Sequence, residues 1–198
     1  MTIADQIRKE LDDERTKDNP EACLANIRWL LEETERPYFD ELKPGESFWY
    51  KGIEWVVLGE EHGGVLCITR KPIAFEPFDT KEGNNWMTSS LREMLDYFAY
   101  RLLEEDLIKR KPDLTADNGG TSYNERAEEE FVSLLSCEEY RKYRDIMPKI
   151  EDKFWTCTPV TDVPEYGCSV RTVNDRGFFG DCYSKMSLAV MPTVIFKK

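Results

Sequence analysis

Trp86-Met87-Thr88-Ser89-Ser90-Leu91-Arg92-Glu93-Met94-Leu95 is the stretch on which the reading of the fold turns. Ser90 followed three residues later by Glu93 has the form of a capping box, and it stands where an apolar stripe begins. Leu91, Leu95, Phe98 and Leu102 then recur at helical spacing, which predicts a helix with one buried face. The segments on both sides have the short apolar runs of strands, so this helix is expected at the centre of an α+β domain.

Working outward toward the N-terminus, the period changes at Lys43-Pro44-Gly45. Beyond that boundary Ser47 to Tyr50, Glu54 to Leu58 and Val65 to Thr69 form a predicted meander, with turns at Lys51-Gly52 and Gly59 to Gly64. His62, the chain's one histidine, falls in the second turn and is expected in solvent. Before the boundary, Ile3, Ile7 and Leu11 predict one amphipathic helix, and Cys23, Ile27, Leu30 and Leu31 a second that ends at Pro37. This hairpin, residues 1–43, carries 12 acidic and 7 basic residues around a narrow apolar seam. It is expected either to pack on the domain of residues 47–198 or to offer its seam to a partner.

Working toward the C-terminus, Ile73 to Asn85 is expected to be irregular, and Asp113 to Glu130 reads as a long polar surface excursion around Asn118-Gly119-Gly120. Phe131 to Leu135 reads as a buried strand. Ser136 and Glu139 make a second capping box, opening a short helix to about Arg144. Phe154 to Thr158, Tyr166 to Val173, Gly177 to Phe179 and Ser187 to Phe196 are the remaining predicted strands.

Composition narrows the function classes. A chain of 198 residues with 12% aromatic residues is long enough to bury a core in one domain plus an appended element. The net charge of -12 and pI near 4.7 oppose direct binding to nucleic acid or an anionic membrane, both of which would repel it. An acidic mimic that fills a nucleic-acid-binding protein's groove is the sharper alternative, although Lys and Arg are interspersed with the acids along the whole chain. The start, Met1 to Gln6, lacks the basic and apolar regions of a secretion signal, so a cytoplasmic setting with reduced thiols is expected. Cys23, Cys67, Cys137, Cys157, Cys168 and Cys182 show no C-x-x-C spacing, and no metal or other cofactor is expected.

Five stretches in order carry a family resemblance: Gly52 to Leu58, Trp86 to Leu95, Phe131 to Tyr143, Phe154 to Pro159, and Ala189 to Phe196. Together they resemble the bacterial domain of unknown function 6273, which is similar to C-type-lectin-like folds. The resemblance spans residues 47 to 196 and implies a bacterial or phage protein. Its implied fold is a C-type-lectin-like mixed sheet with flanking helices, in which the first and last strands run side by side. The family has arginines where this chain has Cys157 and Met191. The resemblance implies no activity.

No catalytic set emerges. A serine-based triad would have to use His62, no serine sits in a nucleophile elbow, and there is no glycine-rich phosphate loop. Val173-Asn174-Asp175 faintly resembles the triplet with which sugar-binding C-type lectins hold calcium, but it is also an ordinary turn sequence and its companion motif is missing. The candidate ligand surface is therefore Trp155, Arg171, Asn174, Asp175 and Tyr183, an aromatic and arginine set around those turn residues. The expected function is a non-enzymatic protein-interaction module. A small-ligand or glycan binder using that surface, and the acidic mimic, are the alternatives.

Overall fold

The computed structural model describes residues 41–99, 102, 104–163 and 167–198. Of the expected hairpin, residues 1–43, residues 1–40 lie outside them, as does Tyr166.

Among the described residues, eleven strands form two sheets. The first contains β1 (Ser47–Tyr50), β2 (Ile53–Glu61), β3 (Gly64–Thr69), β5 (Leu107–Ile108), β6 (Val132–Ser133) and β11 (Thr193–Lys197). Their order is β1-β2-β3-β11-β5, with β6 also pairing with β11, and every pair is antiparallel. The first hairpin turns on Lys51-Gly52, both at positive φ, which is the backbone a two-residue turn of this twist requires. The second sheet runs β4 (Ala74–Pro77), β10 (Ser187–Val190), β7 (Phe154–Pro159), β8 (Ser169–Val173) and β9 (Phe179–Tyr183). Its β10–β7 pair is parallel and the others are antiparallel.

The predicted α+β class is what the chain adopts. The first sheet is buried on both faces along its central strands, which explains why β2 and β3 read as unbroken apolar runs, while β1 at its edge alternates between exposed and buried residues. Trp55, Val57, Val65, Cys67, Val194 and Phe196 point into one core cluster, while Val56, Leu58, Leu66, Ile68 and Ile195 point into another. Successive residues on each strand thus serve opposite layers.

The helix at the opening stretch, α1 (Ser90–Ala99), covers the first cluster with Leu91, Leu95 and Phe98, all buried as predicted. Its cap lies one residue earlier than expected. A 3₁₀ turn over Trp86–Thr88 leaves Ser89 extended, and Ser89 Oγ accepts from the Arg92 N–H at 3.1 Å. Ser90 N–H is taken by Asp79 Oδ1 at 3.2 Å and Leu91 N–H by the Phe78 carbonyl at 3.1 Å. The chain preceding the helix therefore satisfies the donors that the helix cannot satisfy itself. The second predicted capping box is present in both halves at the start of the short helix Cys137–Tyr143, which follows a four-residue helical turn, α2 (Ser122–Glu125), and is termed α3. Tyr140 and Tyr143 of α3 pack into the second cluster.

Several predicted features differ. Ile73 to Asn85 includes β4, whose Phe75 and Glu76 are exposed at a sheet edge. The single predicted strand Ser187 to Phe196 is two strands in different sheets, divided at Met191-Pro192, because proline has no N–H to continue a ladder. The first and last strands are separated by β2 and β3 rather than adjacent, although Phe48 of β1 meets the Phe196 ring edge-on. The excursion from Asp113 to Glu130 is not a wholly surface loop. It buries Leu114, Ala116 and Tyr123, and a backbone bridge between Arg110 and Glu130 closes its neck.

Candidate binding cleft

The end of α3 and the turn between β8 and β9 enclose a cleft of about 280 Å³. At the helix end, the Tyr143 carbonyl accepts from the N–H groups of both Ile146 and Met147, which bends the chain into a wall over residues 144–150. The opposite wall is the turn Asn174 to Gly177. Asn174 Oδ1 accepts from the Arg176 and Phe178 N–H groups at 2.9 and 3.0 Å, and Gly177 takes a φ of 77°. The walls are tied together by Tyr140, whose hydroxyl donates to the Gly177 carbonyl at 3.3 Å. The Tyr140 ring lies edge-on to both Phe154 and Phe179. Ile150, Phe154 and Val173 are buried beneath the opening, so the floor is apolar and its frame is fixed by aromatic packing.

Unpaired cations gather at the rim, although Arg126, outside the cleft, is also without an ion pair among the described residues. Arg70, Arg92, Arg110, Arg141 and Arg171 each face a carboxylate. The side chains of Arg144 and Arg176 line the cleft and have no ion-pair or hydrogen-bond partner among the described residues, and the Lys149 side chain is likewise unpaired there. Asp145 and Asp175 share the rim. Burial raises the Tyr140 hydroxyl above its ordinary pKa, with Asp145 adding to the shift and Arg144 opposing it. Tyr140 is thus a neutral hydrogen-bond donor near neutral pH.

The five sequence-predicted residues do not converge on one surface. Asn174 and Asp175 line the cleft, but Asn174 spends its amide oxygen on its own turn. That oxygen is therefore already engaged by two backbone N–H donors rather than free to hold calcium. Trp155 is a correction: it is 1% exposed, its indole N–H donates to the Glu76 carbonyl at 2.9 Å, and its ring packs against Phe78. It is core because β7 is covered on both faces. Arg171 pairs with Asp117 of the excursion, and its Nη1 is 4.0 Å from Asp181. Tyr183 sits at the far end of β9 from the β8–β9 turn, where its hydrogen bond to Glu82 raises its pKa. Glu82 in turn is held below its ordinary value by Lys185 and Tyr183.

Among the described residues, Arg110 and Glu130 each form a buried ion-paired centre that sequence reading did not predict. Arg110 is 2% exposed and donates to Ser133 Oγ at 2.8 Å, Thr193 Oγ1 at 2.9 Å and the Glu139 carboxylate. Glu139 is the capping-box residue of α3, so this guanidinium joins β6, β11 and α3. Glu130 is 3% exposed, accepts from Trp86 Nε1 at 2.6 Å and Arg92 Nε at 2.8 Å, and is pushed up to about 7 by burial that outweighs both donors. Arg92 has Asp96, one helical turn on, at 3.5 Å as a further partner.

Among the described residues no group of three or more His, Cys, Asp or Glu side chains is placed to hold a metal ion, and no helix is long and apolar enough to cross a membrane. Set against protein-family models, curated proteins and solved structures, the chain matches none of them.

Proposed function

We propose that this chain is a non-enzymatic protein-interaction module whose recognition surface is the cleft between α3 and the β8–β9 turn. The observation that carries the reading is the pair Arg144 and Arg176. In a chain of net charge -12, these two arginines have no carboxylate among the described residues and border one preformed, apolar-floored concavity. Arginine is enriched at protein interfaces and among their energetic hot spots. A cleft of about 280 Å³ has room for one or two partner side chains. The burial of Trp155 also removes the main aromatic platform a glycan would use. A basic rim interrupts the continuous anionic face that a nucleic-acid mimic needs.

The kinship with the domain of unknown function 6273 and its C-type-lectin-like core belongs to the same reading, as does a cytoplasmic setting. What supports the kinship is that the five resembling stretches supply β2, α1, β6 with α3, β7, and β10 with β11, all of which feed the two core clusters. At the two positions where the family has arginines, Cys157 and Met191 are buried. Arg110 enters beside Cys157 from another part of the chain, a rearranged source of buried positive charge.

A photo-crosslinking residue at Asp175, and separately at Glu60 of β2, tests the function in extract of the source cell. The expected result is a discrete adduct from position 175 that disappears when Arg144→Glu and Arg176→Glu are added. Equal adducts from both positions, or an adduct at 175 indifferent to those charge reversals, would sink the proposal.

A further inference from the structure

Resting on the cleft as the recognition surface, we infer that the partner segment it takes is an acidic peptide in which carboxylates flank one apolar side chain. The floor of Ile150, Phe154 and Val173 offers burial to an aliphatic or small aromatic group. Around it stand Arg144 and Lys149 on one wall and Arg176 on the other, three cations against the two carboxylates of Asp145 and Asp175. Cations on both walls call for anions on both sides of the apolar anchor rather than at one end. Guanidinium groups match carboxylates in a planar, two-bond geometry that lysine does not provide.

Backbone geometry reinforces this choice. Tyr140 and Asn174 hold the walls in place before any ligand arrives, so little ordering is needed on binding. Most arginines elsewhere, Arg126 excepted, show what an available acid does in this protein: Arg171 reaches Asp117, 54 residues away in sequence, and Arg92 reaches Glu130, 38 residues away. Asp145 and Asp175 lie on the same rim as Arg144 and Arg176 without pairing with them. A cationic peptide would meet three like charges at this rim, and an uncharged one would leave the guanidinium groups to water.

The test titrates the isotopically labelled full chain with capped peptides having two glutamates around a leucine, two glutamines around a leucine, or two lysines around a leucine. Backbone amide shifts are followed by nuclear magnetic resonance. The glutamate peptide should move the amides of Ile150, Arg176 and Gly177 in a saturable way. Binding should weaken about tenfold for the glutamine peptide, fall with added salt, and vanish in the Arg144→Glu, Arg176→Glu double variant, whose spectrum elsewhere should stay unchanged. If the glutamine or lysine peptide moves the same amides as tightly as the glutamate peptide, the acidic assignment is overturned while the cleft remains a recognition surface. If none of the three moves them, both the assignment and the recognition surface fall.

Discussion

The indole N–H of Trp86 donates to Glu130 Oε1 at 2.6 Å, joining the turn before α1 to the neck of an excursion 44 residues later in sequence. Arg92 holds the other carboxylate oxygen from the first turn of α1. The same carboxylate is buried, and burial is the larger effect, lifting it from an ordinary value of 4.5 to about 7. A carboxyl group raised on folding binds its proton more tightly in the native state. Its contribution is therefore most favourable below about 4.5 and is lost as pH rises through about 7. Glu130→Gln removes this titration while keeping an acceptor for Trp86. The variant should gain stability relative to the parent across that window, by at most about 1.4 kcal/mol per pH unit. Urea unfolding at a series of pH values measures the difference; curves that stay parallel from pH 4.5 to 7 would rule out a titrating Glu130.

Arg110 is expected to be the most damaging single polar position. Its guanidinium serves Ser133, Thr193 and Glu139 at once, and each of those belongs to a different element. Arg110→Leu fits an apolar side chain but leaves the Glu139 carboxylate without its buried partner, a change that costs about 3–5 kcal/mol. Glu139→Gln keeps the hydrogen-bonding shape and should cost less. Urea midpoints of the two variants check the order. A loss below about 1 kcal/mol for Arg110→Leu would mean that the buried guanidinium is replaceable by packing alone.

How much of this was legible follows from where each signal resides. The helical stripe from Leu91 and the capping box at Ser136 are local patterns, and both features are where the sequence puts them. Pro192 was a local signal too: it marks the break between β10 and β11 that the apolar run alone conceals. Arg110 was different. It sits in the charged run Lys109-Arg110-Lys111, and its burial depends on Ser133, Glu139 and Thr193, which are brought together only by the sheet. Leu114 and Ala116 do stand at strand spacing, but two apolar residues in a polar run are too short a pattern to reveal that the excursion is anchored, and Tyr123 stands apart from them. At the cleft, Asn174 and Asp175 were legible as a turn. Arg144 and Arg176 were not, because an unpaired arginine is recognised only after every acid has been placed.

The two adjacent serines before α1 give a direct test of how that helix starts. Sequence pattern favours Ser90, yet Ser89 caps Arg92 and also donates to the Trp86 carbonyl at 2.9 Å while 1% exposed. Ser89→Ala should lose about 1–2 kcal/mol. Ser90→Ala gives up an exposed acceptor for the Thr80 N–H and should lose less. Thermal unfolding of both variants decides it, and the reverse order would return the cap to Ser90.

Gly177 and Tyr140 should be energetically coupled through the geometry that frames the cleft. At Gly177 the backbone is left-handed, and an added Cβ would stand 2.8 Å from the Tyr140 hydroxyl oxygen. Gly177→Ala therefore meets two penalties: about 1–2 kcal/mol for the backbone and a further cost for displacing the tyrosine. Tyr140→Phe alone loses one part-buried hydrogen bond to the Gly177 carbonyl, about 0.5–1.5 kcal/mol. In the double variant the clashing oxygen is gone before the methyl group arrives, so part of the second penalty is never incurred. The combined loss should fall short of the sum of the single losses by about 0.5 kcal/mol or more. Urea unfolding of the four proteins in this cycle measures the shortfall. Strict additivity would mean that the turn yields independently of α3, and that Tyr140 does not set the width of the cleft.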